Sequence, residues 1–168
     1  MRVFNETQKF NQWWVKLIYI GLIGMLLYFL YTLYILNEAV DKVGANDTTG
    51  QLITIASILP VLVLFYFLKL KTEIDKIGIH YQYLPFNFSK QTIRWSAMDK
   101  CYVRTYSPFR EYGGWGFRKS FEKKGKAYNL KGTKGIQIIL KSGEKILIGT
   151  QKKGEAHNVI DRYFKKQL

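Results

Sequence analysis

Residues 17–36, LIYIGLIGMLLYFLYTLYIL, hold no charge in twenty consecutive positions. As an α-helix rising about 1.5 Å per residue, such a run extends about 30 Å, the thickness of a bilayer's hydrocarbon core. A secretory signal peptide has a shorter apolar region, about 7–15 residues, and closes on small residues. This run is longer and ends in Tyr34-Ile35-Leu36, so it predicts an uncleaved transmembrane helix. A second run, LITIASILPVLVLFYFL at 52–68, gives about 26 Å, near the lower limit for spanning. Pro60 lies inside it, where it removes a backbone donor and predicts a kink. Thr54, Ser57 and the first span are at hand to help satisfy the freed carbonyl. A buried soluble helix would be the competing reading of either run alone. Two such runs fifteen residues apart predict a transmembrane hairpin.

Charge orients that hairpin. The first sixteen residues carry Arg2, Lys9 and Lys16, and the segment after the second span opens KLKTEIDK. The connecting loop at 37–51 carries Lys42 alone among the bases. The positive-inside rule then places both termini in the cytoplasm and the loop outside. The expected order is a cytoplasmic segment (1–16), span one (17–36), an extracytoplasmic loop (37–51), span two (52–68) and a cytoplasmic domain (69–168). Phe10, Trp13 and Trp14 suit one cytoplasmic boundary, Phe65, Tyr66 and Phe67 the other, and Tyr28, Tyr31 and Tyr34 the outer one. Gly21 and Gly24 either allow a close helix approach or do nothing. Neither span contains an acidic or basic residue beyond the edge residue Lys16, which argues against a transport pathway.

The chain carries a formal charge of +14. Residues 1–68 balance four bases against four acids, so 69–168 hold the whole excess, with 22 bases against 8 acids. A cationic unit of this kind seeks anionic partners: phospholipid head groups, an acidic protein or nucleic acid.

From residue 69 the pattern shifts to short alternating runs. KTEIDKIGIHYQYL reads as two strands about a turn near Lys76–Gly78, with Ile79, Tyr81 and Tyr83 on one face. TIRW (92–95), CYVRTYS (101–107), WGFRKSF and KAYNL are further candidates. GIQIIL and EKILIGT flank Ser142-Gly143, a two-residue hairpin pattern. In GEAHNVIDRYFKK, Ala156, Val159, Ile160, Tyr163 and Phe164 form one helical stripe. Lys165 and Lys166 suit that helix's negative end. About seven strands and a terminal helix predict a barrel or sandwich with the helix over one open end.

The run from Tyr106 to Arg118, YSPFREYGGWGFR, followed by KAYNL, GTKGIQIIL and KILIGT (145–150), resembles the pleckstrin-homology-like domains of membrane-anchored bacterial proteins. The resemblance covers about residues 69–166. It implies a seven-stranded barrel or sandwich closed by a C-terminal capping helix. Two departures matter. The first turn, Asp75-Lys76-Ile77-Gly78, is too short and too weakly basic for the phosphoinositide pocket of lipid-reading members, and the final helix has Tyr163 and Phe164 where those members place tryptophan.

Within EYGGWGFRKS (111–120), Gly113, Gly114 and Gly116 surround Trp115. They predict a turn or bulge in which positive φ is accessible. Trp115 or Phe117 is then an inward anchor, or Trp115 sits at head-group level beside Arg118 and Lys119, where an apolar ring with a polar N–H is favoured. Residues 118–135 add Lys123, Lys124, Lys126, Lys131 and Lys134 against Glu122, a net +6. Basic residues near an anionic leaflet contribute about 1 kcal/mol each. A solvated face that only keeps the domain soluble has the same composition.

No catalytic constellation is visible. GGWG lacks the phosphate-loop spacing and the strand–glycine–helix context. His80 and His157 stand apart from metal-ligand patterns, lone Cys101 reads as core filling, and Glu111 and Glu122 have nothing marking them as a pair. The expected function is non-enzymatic, with no catalytic residue, metal or cofactor: an inner-membrane protein with two spans that presents a basic module to anionic lipid or a protein partner. A small accessory subunit of a transport or envelope-assembly complex is the alternative. Nucleic acid ranks last, since no nucleic-acid-binding module accompanies the basic hairpin.

Overall fold

The computed structural model describes residues 4–36, 38–40, 43–44, 46–120 and 124–164. They form two compact units, one of residues 10–67 and one joining the stretch before it to the chain from Leu68 onward.

The first unit holds two long helices, α1 (Trp13–Tyr34) and α2 (Thr48–Phe67). Unbranched and branched apolar residues fill every side of both, so no polar stripe turns either one toward water. Ile20, Leu27, Ile53 and Val63 are all exposed. Only 17% of the apolar window of α1 and 11% of that of α2 is buried, which separates them from core helices of a soluble domain. Both are long and apolar enough to cross a membrane. They run antiparallel. Near the start of α1, Tyr19 donates its hydroxyl to the Leu62 carbonyl (2.9 Å) and Phe10 stacks on Phe65 at 5.6 Å. At the other end, Tyr34 donates to Gln51 Oε1 (2.8 Å), and Gln51 donates to the Gly44 carbonyl (3.0 Å).

Each helix begins ahead of its apolar run, α1 at Trp13 and α2 at Thr48. α2 continues through Pro60 as one element. Thr54 and Ser57 do not serve the carbonyl that Pro60 frees, which is that of Ala56. Their hydroxyls bond instead to the carbonyls of Gly50 (2.9 Å) and Thr54 (2.7 Å), one turn earlier. A Cβ at Gly21 or Gly24 would meet nothing within 4 Å, so neither glycine serves a close helix approach.

Among the described residues, the second unit has nine strands in two sheets. Sheet one is a meander of β1 (Phe4–Lys9), β2 (Lys69–Ile74), β3 (Gly78–Leu84) and β4 (Gln91–Arg94), all antiparallel. The β2–β3 turn is set by Asp75, whose Oδ1 accepts the N–H groups of Ile77 (2.8 Å) and Gly78 (3.2 Å). Ile79, Tyr81 and Tyr83 are buried, as the alternation predicts, and His80 is buried with them.

β1 is the element the sequence did not announce. Its buried positions are Phe4, Glu6 and Gln8, two of them polar. Those side chains reach the other sheet: Gln8 Nε2 donates to the Gly149 carbonyl (2.7 Å), and Glu6 accepts from the Thr150 hydroxyl (2.6 Å) and the Gln151 N–H (2.7 Å). A buried carboxylate survives here because both oxygens are bonded.

A 3₁₀ turn, Trp95–Ala97, leads into sheet two. Its strands are β5 (Met98–Thr105), β6 (Gly116–Lys119), β7 (Lys126–Asn129), β8 (Lys134–Leu140) and β9 (Lys145–Gly149), in the order β5-β8-β9-β7-β6. A short helix, α3 (Pro108–Tyr112), follows β5, and α4 (Lys153–Tyr163) ends the fold. β8 and β9 lie inside sheet two and are buried on both faces, with Ile136, Ile138, Leu147 and Ile148 fully buried. Ala156, Val159 and Ile160 of α4 are buried, with Phe164 just beyond it packing near Trp95 at 6.1 Å.

Neither sheet closes into a barrel among the described residues. The chain before the helices supplies the edge strand β1, and β6–β7 form an added hairpin that joins β9 in parallel through β7. The terminal helix accordingly lies against β5, β8 and β1 and plugs no barrel end. The expected hairpin at Ser142-Gly143 is present as β8–β9.

Candidate interaction surface

α3 is built by one carboxylate. Glu111 accepts the Ser107 N–H at 2.8 Å and a forked pair of bonds from Arg104 (3.1 and 2.6 Å). The Arg104 hydrogen bonds outweigh burial and hold the Glu111 carboxyl below its usual range. α3 then stops at Gly113, in the left-handed region (φ 72°), and Gly114 and Gly116 follow at 126° and 119°. Residues with a Cβ resist all three values, so this run of glycines is a structural requirement of the turn.

Trp115 is the turn's peg. It is part-buried, donates its indole N–H to the Gly132 carbonyl (3.0 Å) and meets Phe109 edge-on at 5.0 Å. The Gly116 N–H donates to Asn129 Oδ1 (2.8 Å), joining the turn to β7. A bulky ring among glycines thus ties down a backbone bend that the glycines make possible.

The basic residues divide between the two ends of β6–β7. Arg118 is exposed, and its Nε donates back to the Trp115 carbonyl (3.3 Å). Lys119 lies opposite Lys126 at the far end of the ladder. Lys126 pairs with Glu144 at 2.8 Å, and that hydrogen bond raises its pKa. The backbone there is tight: a Cβ on Gly125 would sit 1.9 Å from the Lys145 carbonyl oxygen. Lys131 and Lys134 lie toward the Trp115 end, with Lys134 Nζ 2.6 Å from the Thr105 hydroxyl. Lys124 is part-buried, and Lys123 lies outside the described residues. The set therefore spans about 10 Å of strand with Glu144 among it, and is not one uniform face.

A chain of rings adjoins this hairpin. Phe117 stacks on Tyr128 (4.9 Å), Tyr128 lies 6.0 Å from Tyr83, and Tyr83 stacks on Phe86 (5.9 Å). A Cβ on Gly116 would lie 3.8 Å from Arg118 Nε and 3.9 Å from the Tyr83 hydroxyl, so the guanidinium and that phenol flank the same glycine. Phe86, Phe88, Phe109 and Phe117 are exposed. The stretch LPFNFSK drew no functional reading from sequence; two phenylalanines among turn residues were its only sign.

The remaining candidates are structural. His80 is buried, with Nε2 3.1 Å from Asp75 Oδ1 and Nδ1 2.8 Å from the Thr92 hydroxyl. His157 lies on α4, 3.7 Å from Asp161. Burial pushes the Cys101 thiol up to about 12, so it is an unreactive core group at neutral pH. No three metal-type ligands converge among the described residues. In comparison with known proteins, the chain matches no family model, no curated protein and no solved structure.

Proposed function

We propose that this chain is an integral protein of the cytoplasmic membrane, anchored by α1 and α2, that presents a basic pleckstrin-homology-like module to anionic lipid head groups. The observation that carries the reading is the exposure of apolar side chains all around both helices. In water that surface would drive aggregation; in a bilayer it is the solvated state.

Strand pairing supports the topology. β1 precedes the helices and β2 follows them, yet the two share a ladder from Phe4–Ile74 to Lys9–Lys69. Two strands can pair only on one side of a bilayer, so the chain between them crosses an even number of times. The distribution of Lys and Arg then favours the cytoplasm for that side. The pleckstrin-homology-like reading draws on topology as well. Without the α3–β6–β7 insertion, β1–β4 and β5-β8-β9 are seven antiparallel strands in two sheets, followed by α4. The parallel β7–β9 pairing belongs to the insertion.

The test uses full-length protein in its membrane. It should resist alkaline carbonate extraction, and single cysteines at Asn46 and Ile77 in a Cys101→Ala background should react with an impermeant maleimide from opposite sides. Extraction into buffer, or labelling of both from one side, overturns the anchored reading. For the lipid half, amide exchange in β6 should be slower in anionic than in zwitterionic nanodiscs. Equal exchange removes lipid as the partner.

A further inference from the structure

The two ends of sheet one differ. Lys9, Lys69 and Leu84 lie side by side across β1, β2 and β3. At this end the chain departs toward α1 after Lys9 and returns from α2 through Leu68 alone. The same end carries the loop that follows Leu84, residues 85–90, PFNFSK. Phe86 and Phe88 in that loop are 64% and 76% exposed. The opposite end holds the Asp75–Gly78 turn, where the Asp75 carboxylate lies and a single apolar residue, Ile77, is 50% exposed.

The phenylalanine loop is held in place. The Asn87 N–H donates to the Tyr83 carbonyl (2.7 Å), Gln82 Nε2 donates to the Phe88 carbonyl, and the Phe86 ring is braced on Tyr83. Its rings are thus presented outward by a loop tied back to β3. No acidic residue occurs in 84–90 or 9–12; Lys9 and Lys69 stand at this end of the ladder, while Lys90 is ion-paired with Glu73. Two outward phenylalanines among lysines, on a short covalent tether to apolar helices, match an anionic lipid surface: rings for the acyl boundary, ammonium groups for phosphate.

We infer that residues 85–90 form a wedge whose Phe86 and Phe88 enter the same lipid leaflet that α1 and α2 enter, fixing this end of sheet one against the membrane. The inference rests on the anchored reading above and adds a contact which that reading does not require, since a tethered domain could stand free of the surface. The wedge also orients the molecule. Through Tyr83 and Tyr128 the ring chain continues to Phe117 and Arg118, so a seated wedge carries Arg118 toward the head groups.

The test places an environment-sensitive fluorophore on single cysteines in the full-length Cys101→Ala chain. The protein is reconstituted in nanodiscs of phosphatidylglycerol and phosphatidylethanolamine with a trace of lipid nitroxide-labelled high on its acyl chain. Labels at Asn87 and Phe88 should be blue-shifted and quenched, and a label at Ile77 should be neither. The Asn87 label leaves both rings in place, and adding Phe86→Ser and Phe88→Ser to it should abolish the quenching without unfolding, because both rings are exposed. Quenching at 87 and 88 no greater than at 77 overturns the wedge, as does quenching that survives the double serine variant. A label at Ile20, near the cytoplasmic end of α1, separates the two readings. If it is quenched while 87 and 88 are not, the anchor stands and the wedge falls; if Ile20 also escapes quenching, the anchored reading itself falls.

Discussion

The helical pair and the β-rich unit place their apolar side chains on opposite sides of their backbones. α1 and α2 expose Leu27, Ile53 and their neighbours, and Tyr19 and Tyr34 bond across from one helix to the other. The β unit buries Ile136, Ile138, Leu147 and Ile148 and turns its lysines outward. The same residue types thus report two solvents within one chain. What a substitution does depends on which solvent the position faces, and exposure alone does not decide it.

The largest contrast is expected in the β core. Leu147→Ala removes a fully buried side chain from a strand covered on both faces and should cost about 2–5 kcal/mol, read as a lowered denaturant midpoint of the purified protein. Leu27→Arg tests the other region. Leu27 is 61% exposed, so a soluble fold would tolerate arginine there, whereas insertion at a bilayer centre costs about 2.5–3.5 kcal/mol. The carbonate-resistant fraction should fall, and an unchanged fraction would erase the distinction between the regions. Glu6→Ala comes next. It leaves the Thr150 hydroxyl and the Gln151 N–H without their acceptor, at a cost of about 1–3 kcal/mol. Faster amide exchange should appear together in β1 and the first turn of α4, which share no sequence neighbourhood.

The smallest effect is a pH dependence. Glu111 has a folded pKa below its unfolded one, so its bond to Arg104 contributes stability fully above the unfolded value, about 4.3, and loses it as pH falls through the folded value. Glu111→Gln should destabilise the protein by about 1 kcal/mol at pH 7, and unfolding midpoints of the two proteins should converge as the pH is taken below the unfolded value and through the folded one. A difference that stays constant throughout that fall would mean that the charge is not what holds α3.

Local patterns read well from sequence, and pairings across distance did not. The β2–β3 and β8–β9 hairpins follow from alternation and turn residues at Asp75–Gly78 and Ser142-Gly143, and α4 from the spacing of Ala156, Val159 and Ile160. FNETQK shows no such pattern, because two of its three inward positions are Glu6 and Gln8. Their partners in the other sheet lie about as far away along the chain as it allows, with Thr150 and Gln151 more than 140 residues from Glu6. The parallel β7–β9 pairing was hidden for the same reason, as each strand is ordinary alone. Trp115 was legible as an anchor or a head-group contact; what its indole N–H meets, the Gly132 carbonyl, takes coordinates to see. Phe86 and Phe88 become informative only once Lys9, Lys69 and Leu84 are known to be neighbours.

The Glu6–Thr150 bond has a consequence in time. The ribosome makes Glu6 before either helix, and its acceptor oxygens wait 144 residues for their hydroxyl donor. The backbone of β1 can pair with β2 once α2 has been made, but its inward carboxylate is satisfied only after β9 has followed. Two polar residues at its inward positions suit that wait, since a greasy strand left idle beside a membrane would find the wrong partner first.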